Sequence, residues 1–173
     1  FHLISFALTS APFMAVKAFW KPDVVINIIP TIFSTPASLF LSRVSGAKLW
    51  LHIQDFELDA ALSLGLIKKQ GILNQLIKML ESWILGSADC VSTISGSMMD
   101  RLGSKGVLEE KIAFFPNWID LTDIYPLQRK SAFRKKFHIG NNEIVVLYSG
   151  NMGEKQGLDI LLDSACKVKE YQE

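Results

Sequence analysis

The sequence predicts an α/β protein with doubly wound parallel sheets, and three observations carry that expectation. Short β-branched apolar runs such as Val24-Val25-Ile26-Asn27-Ile28-Ile29 and Ile144-Val145-Val146-Leu147 recur along the chain, as strands buried on both faces do. Segments with apolar residues at helical spacing alternate with these runs, and that alternation builds parallel sheets joined by right-handed crossovers. A composition of 49% hydrophobic and 20% charged residues over 173 positions can bury a core, which excludes a disordered or low-complexity chain.

The elements follow in order. The stretch 1–16 is strongly apolar, but Ser5, Thr9, Ser10 and Pro12 interrupt it and Lys17 ends it, short of the roughly 20 residues that span a bilayer. It lacks the basic leading region of a signal peptide, and its start at Phe1-His2-Leu3 reads as the interior of a longer chain. Val24–Ile29, between Pro22 and Pro30, is the first strand. Thr35–Ser45 is a helix, with Pro36 tolerated in its first turn and Gly46 as its stop. Lys48–Ile53 is the second strand, ending at Gln54-Asp55.

Residues 72–85 place Leu73, Leu76, Ile77, Leu80 and Ile84 on one helical face, which is expected to point inward, and Gly86 closes that helix. A strand at 89–94, a small helix near 97–103 with Met98, Met99 and Leu102 inward, and a strand at 111–115 complete the first domain. Pro116-Asn117 and Tyr125-Pro126 have the chemistry of a connector. The expected domains are therefore 1–126, a partial first domain, and 127–173, the beginning of a second. The latter holds a basic helix within 127–142, a strand at 143–148, a glycine-rich turn and a helix from about Leu158.

Several function classes are excluded at this level. Eighteen Lys and Arg against seventeen Asp and Glu leave a charge of +1, so no global field draws the chain to nucleic acid. Cys90 and Cys166 lie far apart and read as free, buried thiols in a reducing cytoplasm. His2, His52 and His138 form no ligand motif, and no metal site is expected.

Two places could hold chemistry. The turn with Gly150, Asn151, Gly153, Lys155 and Gly157 joins a strand to a helix, where backbone amides and the helix dipole attract phosphate. It is neither a Walker loop nor GxGxxG, and an ordinary strand-to-helix turn is the other reading. Gln54, Asp55 and Glu57 lie at the carboxyl edge of the second strand, where open α/β sheets hold ligands. Asp55 there could take a proton or hold a hydroxyl, and a helix cap or solvated acidic loop is the alternative. The basic stretch from Arg129 to Lys136 suits anionic lipid, polyphosphate or solvent.

Four phrases then assemble in order: Lys21-Pro22-Asp23-Val24-Val25, Val91-Ser92-Thr93-Ile94-Ser95, Phe114-Phe115-Pro116-Asn117-Trp118-Ile119-Asp120 with Tyr125-Pro126, and the segment 147–162. Together they resemble the retaining GT-B glycosyltransferases of the glycosyl transferase group 1 type. The turn from His52 to Asp59 looks most like the bacterial colanic acid and exopolysaccharide enzymes. The resemblance implies two Rossmann-like domains, an acceptor-side one ending near Pro126 and a nucleotide-sugar-binding one beginning at Leu127.

It further implies transfer of a hexose or deoxyhexose from a nucleotide diphosphate sugar to a lipid-linked or oligosaccharide acceptor, without a cofactor and without an obligatory metal. In the turn after the second strand Asp55 alone matches the family's pattern and takes the catalytic role, with Gln54 and Glu57 assigned to the acceptor side and Gly150, Asn151, Gly153, Lys155 and Gly157 to the donor phosphates. Such an enzyme is expected in the cytoplasm, in peripheral contact with the anionic inner face of the membrane. Two departures stand out. Gln54 replaces the histidine many members carry before the aspartate, and Asn151 and Gln156 occupy the usual Arg and Lys places, with Lys155 one position early. A non-catalytic α/β module binding a nucleotide or partner is the reading these departures leave open, and the 173 residues alone are expected to be an inactive fragment.

Overall fold

The computed structural model describes residues 2–29, 32–56, 58–59, 65, 71–126, 132–153 and 156–170. The chain forms two compact units, Phe1–Asn117 and Trp118–Glu173, each taken by itself below.

The first unit runs α1 (His2–Lys17), β1 (Val24–Ile29), α2 (Thr35–Ser45), β2 (Lys48–Ile53), α3 (Ile72–Ser87), β3 (Cys90–Thr93), α4 (Gly96–Ser104) and β4 (Ile112–Phe114). The strands form one parallel sheet in the order β1-β2-β3-β4. Because spatial order follows chain order, right-handed crossovers carry the connecting helices α2, α3 and α4 to one face of the sheet. The expected α/β class is therefore present, and its four strands and intervening helices lie within a residue or two of the bounds expected from sequence.

The core lies between the sheet and those helices. Leu49, Leu51 and Ile53 of β2 are 1%, 0% and 2% exposed, and they pack with Val25, Ile29, Val91, Leu41, Ile84, Leu85 and Leu102. Alternate residues of a strand face opposite sides, so the other face of β1 carries Val24, Ile26 and Ile28, each about half exposed. Asn27, buried in β1, is satisfied locally: its Nδ2 donates to Thr35 Oγ1 at 2.9 Å and its Oδ1 accepts from Ser34 Oγ at 3.0 Å. That clasp pins the start of α2 to the sheet. Gly46 ends the helix in the left-handed region (φ 74°), a conformation glycine adopts without a Cβ penalty.

β2 and β3 are locked at their starts by Asp89, whose carboxylate accepts from Leu49 N at 2.9 Å and from Lys48 Nζ at 2.9 Å. These bonds hold the Asp89 carboxyl below its ordinary value. A second charged cluster ties the segment after β2 to two helices. Lys105 Nζ donates to Asp59 Oδ1 at 2.9 Å and to Glu81 Oε1 and Oε2 at 2.9 and 2.8 Å, while Arg101 Nε donates to Asp59 Oδ2 at 3.0 Å. Lys105 also sits 5.3 Å over the Phe56 ring.

The orientation of α3 differs from expectation. The helix passes through Gly86 to Ser87, and Leu76 and Leu80, expected inward, are 56% and 54% exposed. The inward side holds Asn74, Glu81, Ile84 and Leu85 instead. Apolar residues line both sides of this helix, so periodicity alone cannot orient it. The pairing of Glu81 with Lys105 needs Glu81 turned inward.

In the second unit, α5 (Ala132–Lys136) and α6 (Asp159–Glu170) form, with the Phe133 and Phe137 rings stacked at 6.2 Å. The expected strand at 143–148 is absent: the segment makes no ladder among the described residues, and Ile144 and Val146 are 92% and 80% exposed. A run with strand composition becomes a strand only with a partner to pair with. Both cysteines are free, but Cys90 is half-buried and Cys166 is exposed, because α6 has no buried face in this unit.

Two outcomes follow from this packing. Leu51→Ala should cost about 2–5 kcal/mol in urea unfolding of the first unit, whereas Val24→Ala on the open face should cost less than about 1 kcal/mol. Burial raises the Asp59 carboxyl, but the bonds and charges of Arg101 and Lys105 together outweigh it and hold the group below its ordinary value. Its stabilisation is therefore complete above the unfolded pKa near 3.9 and disappears as pH falls through the native one. Unfolding midpoints measured from pH 6 to 3 should drop more steeply in the parent protein than in Asp59→Asn.

Candidate functional site

Period-two alternation along β2 puts Trp50, His52 and Gln54 on the sheet face away from the helices, and the β2–β3 register sets Ser92 beside His52. A hydrogen-bonded chain results. Trp50 Nε1 donates to Ser92 Oγ at 2.7 Å, His52 Nδ1 lies 2.8 Å from the same oxygen, and Gln54 Nε2 lies 2.7 Å from His52 Nε2. Gln54 then pairs reciprocally with Asn117, Nε2 to Oδ1 at 3.0 Å and Nδ2 to Oε1 at 3.1 Å. Phe115 sets its ring edge-on to both Trp50 (5.5 Å) and His52 (5.4 Å).

With the Gln54 amide nitrogen placed on His52 Nε2, that ring nitrogen accepts and Nδ1 carries the hydrogen toward Ser92. His52 is 6% exposed, and burial lowers its pKa. The neutral ring therefore anchors Gln54, and Gln54 fastens the end of β2 to Asn117, the residue that closes the first unit. The side chain expected on the acceptor side is thus held by three hydrogen bonds at the carboxyl edge.

Asp55, the next residue, lines a small cavity with Ile29, Ile53, Phe56, Leu58, Glu81 and Leu85. That cavity shares Leu58 and Glu81 with a larger one of about 400 Å³, where Asp59, Lys78, Arg101 and Lys105 also stand. The larger volume is of the size that small ligands occupy, and its lining combines carboxylates with fixed cations. Beside these cavities β3 leads to Ser95, whose Oγ caps α4 by accepting from Met98 N at 3.3 Å. Glu57 lies outside the described residues.

In the second unit Gly150, Asn151, Gly153 and Gly157 precede α6 along the chain. Tyr148 Oη donates to Asn151 O at 2.7 Å, Gln156 N to Gly153 O at 3.1 Å, and Ile160 N to Gly157 O at 3.1 Å. Gly157 takes a left-handed φ of 57°, which turns the chain into the helix. Asp159 sits in the first turn of α6, where its carboxylate already meets the helix dipole. Lys155, expected to meet a diphosphate, lies outside the described residues.

Sequence reasoning missed His52, Ser92 and Asn117 as a connected group, and the Asp59–Glu81–Arg101–Lys105 cluster. Alternation of Trp50, His52 and Gln54 was a visible signal for the first. The identity of Ser92 as the partner depended on inter-strand register.

Because burial lowers the native pKa of His52, the unfolded chain takes up its proton more readily, so stability falls as pH drops through about 6.5. NMR titration of the His52 ring should show a midpoint below 6.5 with the hydrogen on Nδ1 at neutral pH. A midpoint at or above 6.5, or an Nε2–H tautomer, would contradict the arrangement.

Comparison with known proteins places this sheet in a family. The glycosyl transferase 4-like domain family matches residues 5–118, a span that holds all four strands, both cavities and the chain from Trp50 to Asn117. The Escherichia coli K12 protein assigned by name to colanic acid biosynthesis as the glycosyl transferase WcaI is 42% identical over 174 residues, covering 98% of this chain and 42% of that protein. The Pseudomonas aeruginosa protein named as the glycosyltransferase WbjE is 27% identical over 124 residues, covering 72% of this chain and 31% of its own length. The chain therefore spans less than half the length of the curated relatives it matches. No solved structure gives a significant match. The parallel sheet, the motifs along it and the match over nearly all of the first unit agree, and the chain belongs to the glycosyl transferase 4-like domain family.

Proposed function

We propose that the full-length protein is a retaining glycosyltransferase. It moves a hexose or deoxyhexose from a nucleotide diphosphate sugar to a lipid-linked or oligosaccharide acceptor during assembly of a bacterial cell-surface polysaccharide. The observation that carries this reading is the family match over residues 5–118, a segment that sets a carboxylate, Asp55, two residues past the end of β2. The name of the Escherichia coli relative, 42% identical here, supports a polysaccharide of the colanic acid kind.

In this reading the bond from the anomeric carbon to the diphosphate breaks, a bond to the acceptor oxygen forms on the same face, and the acceptor proton passes to an oxygen of the departing diphosphate. Charge grows on the departing diphosphate, where preorganised donors help most. The backbone around Gly150, Asn151, Gly153 and Gly157, with Lys155, is the proposed donor cradle. Asp55 orients the reacting hydroxyl, and Glu57 and the immobilised Gln54 amide shape the acceptor side. Neither a metal nor a cofactor takes part. A lipid-linked acceptor sets the reaction at the inner face of the cytoplasmic membrane.

The test is a panel of nucleotide diphosphate sugars with the full-length protein. One donor should be turned over with its anomeric configuration kept, and the rate should persist in excess EDTA. Asp55→Asn should lower kcat by about 10²-fold or more with little change in donor affinity, and the isolated 173 residues should show no turnover. A protein that binds nucleoside diphosphates but releases no sugar with any acceptor is a binding module instead.

A further inference from the structure

In the hydrogen-bonded chain along β2, each member decides the polarity of the next. Ser92 Oγ, fully buried, takes the indole hydrogen of Trp50 and stands 2.8 Å from His52 Nδ1. The other ring nitrogen, Nε2, faces the Gln54 amide at 2.7 Å, and that amide meets Asn117 through two bonds of 3.0 and 3.1 Å. A neutral imidazole carries one hydrogen, so one nitrogen donates and the other accepts. With the hydrogen on Nδ1, Nε2 is the acceptor, and Gln54 must turn its nitrogen to the ring. The Gln54 oxygen then takes the branch away from the ring. Asn117, to pair with both ends of Gln54, must set Oδ1 against that nitrogen and Nδ2 against that oxygen. Moving the ring hydrogen to Nε2 would reverse both amides, because like groups would otherwise face each other.

The capacity left on the pair has a definite pattern. Both hydrogens of Gln54 Nε2 are used, one on His52 and one on Asn117. Gln54 Oε1 accepts one bond and keeps a lone pair, while Asn117 keeps one Nδ2 hydrogen and a lone pair on Oδ1. Asn117 is exposed and Gln54 is half-buried, so this capacity opens to solvent just past the end of β2, beside Asp55 in sequence. An acceptor next to a donor is what a hydroxyl group needs. Its hydrogen can go to Gln54 Oε1 while its oxygen takes the hydrogen of Asn117 Nδ2.

We propose that His52 is a positioning residue whose Nδ1–H tautomer sets the polarity of the Gln54–Asn117 pair, so that the pair offers an oxygen and an N–H side by side to a hydroxyl of the acceptor saccharide. Asn117 thereby joins Gln54 as a residue that selects the acceptor, and His52 acts through both. The acceptor role deepens the glycosyltransferase reading above and rests on it, whereas the polarity of the pair does not.

The experiment uses the full-length protein labelled with nitrogen-15, first without substrate. Both Gln54 side-chain hydrogens should exchange with water about tenfold or more slowly than those of an open glutamine amide, and Asn117 should show one slowed hydrogen and one fast. His52→Met fills the ring's space without an accepting nitrogen and should abolish the protection of the Gln54 hydrogen that faces it. His52→Gln, whose oxygen can reach the place of Nε2, should restore that protection. With a donor and acceptor that the full-length protein turns over, His52→Met should raise the acceptor KM by about tenfold and the donor KM by less than about twofold, with His52→Gln close to the parent. Asn117→Ala should raise the acceptor KM by a similar factor, and His52→Met added to it should change little more, because the two act as one unit.

Unprotected Gln54 hydrogens in the parent, an Nε2–H tautomer, or protection that survives in His52→Met overturns the proposal. So does a His52→Met effect that is equal on donor and acceptor, or one fully additive with Asn117→Ala, which is the result that loss of packing alone would give. A full-length protein that turns over no donor fails the glycosyltransferase reading and takes the acceptor role with it, while the substrate-free amide measurement still decides the polarity of the pair.

Discussion

The first unit depends on the double burial of β2. This strand is paired in parallel on both sides, so its backbone groups are satisfied along both edges and its side chains must meet two different environments. One side, Leu49, Leu51 and Ile53, is the deepest part of the core. The other, Trp50, His52 and Gln54, supplies the polar chain that reaches Asn117. A parallel neighbour cannot be reached by a tight turn, so each flanking strand requires a crossover. These crossovers deliver the helices that cover the Leu49 side. Core and edge geometry are thus two consequences of one strand's alternation.

Charge then does what apolar packing leaves undecided. α3 could present either of two apolar sides to the core, and the half-buried partnership of Glu81, Lys105 and Asp59 goes with one of them. Lys105 stands half-buried between the two carboxylates, so removing one partner leaves the others incompletely paired where water is scarce. The cluster therefore specifies orientation more than it adds stability. It also leaves the rejected apolar side, with Trp83 and Met79, facing outward, so the choice that completes the core leaves an apolar side exposed.

The same logic ties the edge to the middle of the sheet. Gln54 cannot turn freely toward a ligand, since His52 and Asn117 hold both ends of its amide. His52 in turn is oriented by Ser92 and met edge-on by the Phe115 ring. A site whose polar groups are fixed from behind loses less entropy and needs less reorganisation when a substrate arrives. Asp55, one residue on, inherits that rigid footing from β2.

Local sequence was enough for the α/β class, for the bounds of β1, α2 and β2, and for placing Gln54 and Asp55 just past the end of β2. Each is set by signals within a few residues: β-branched runs, proline and glycine punctuation, and alternation. The segment 143–148 carried the same strand signal and makes no ladder, because pairing is supplied by a neighbour and not by composition. The side of α3 that faces inward, the pairing of His52 with Ser92, and the junction of Gln54 with Asn117 were decided by tertiary structure alone. All three join residues distant along the chain, and only the register of a parallel sheet and the burial of opposite charges determine which of them meet.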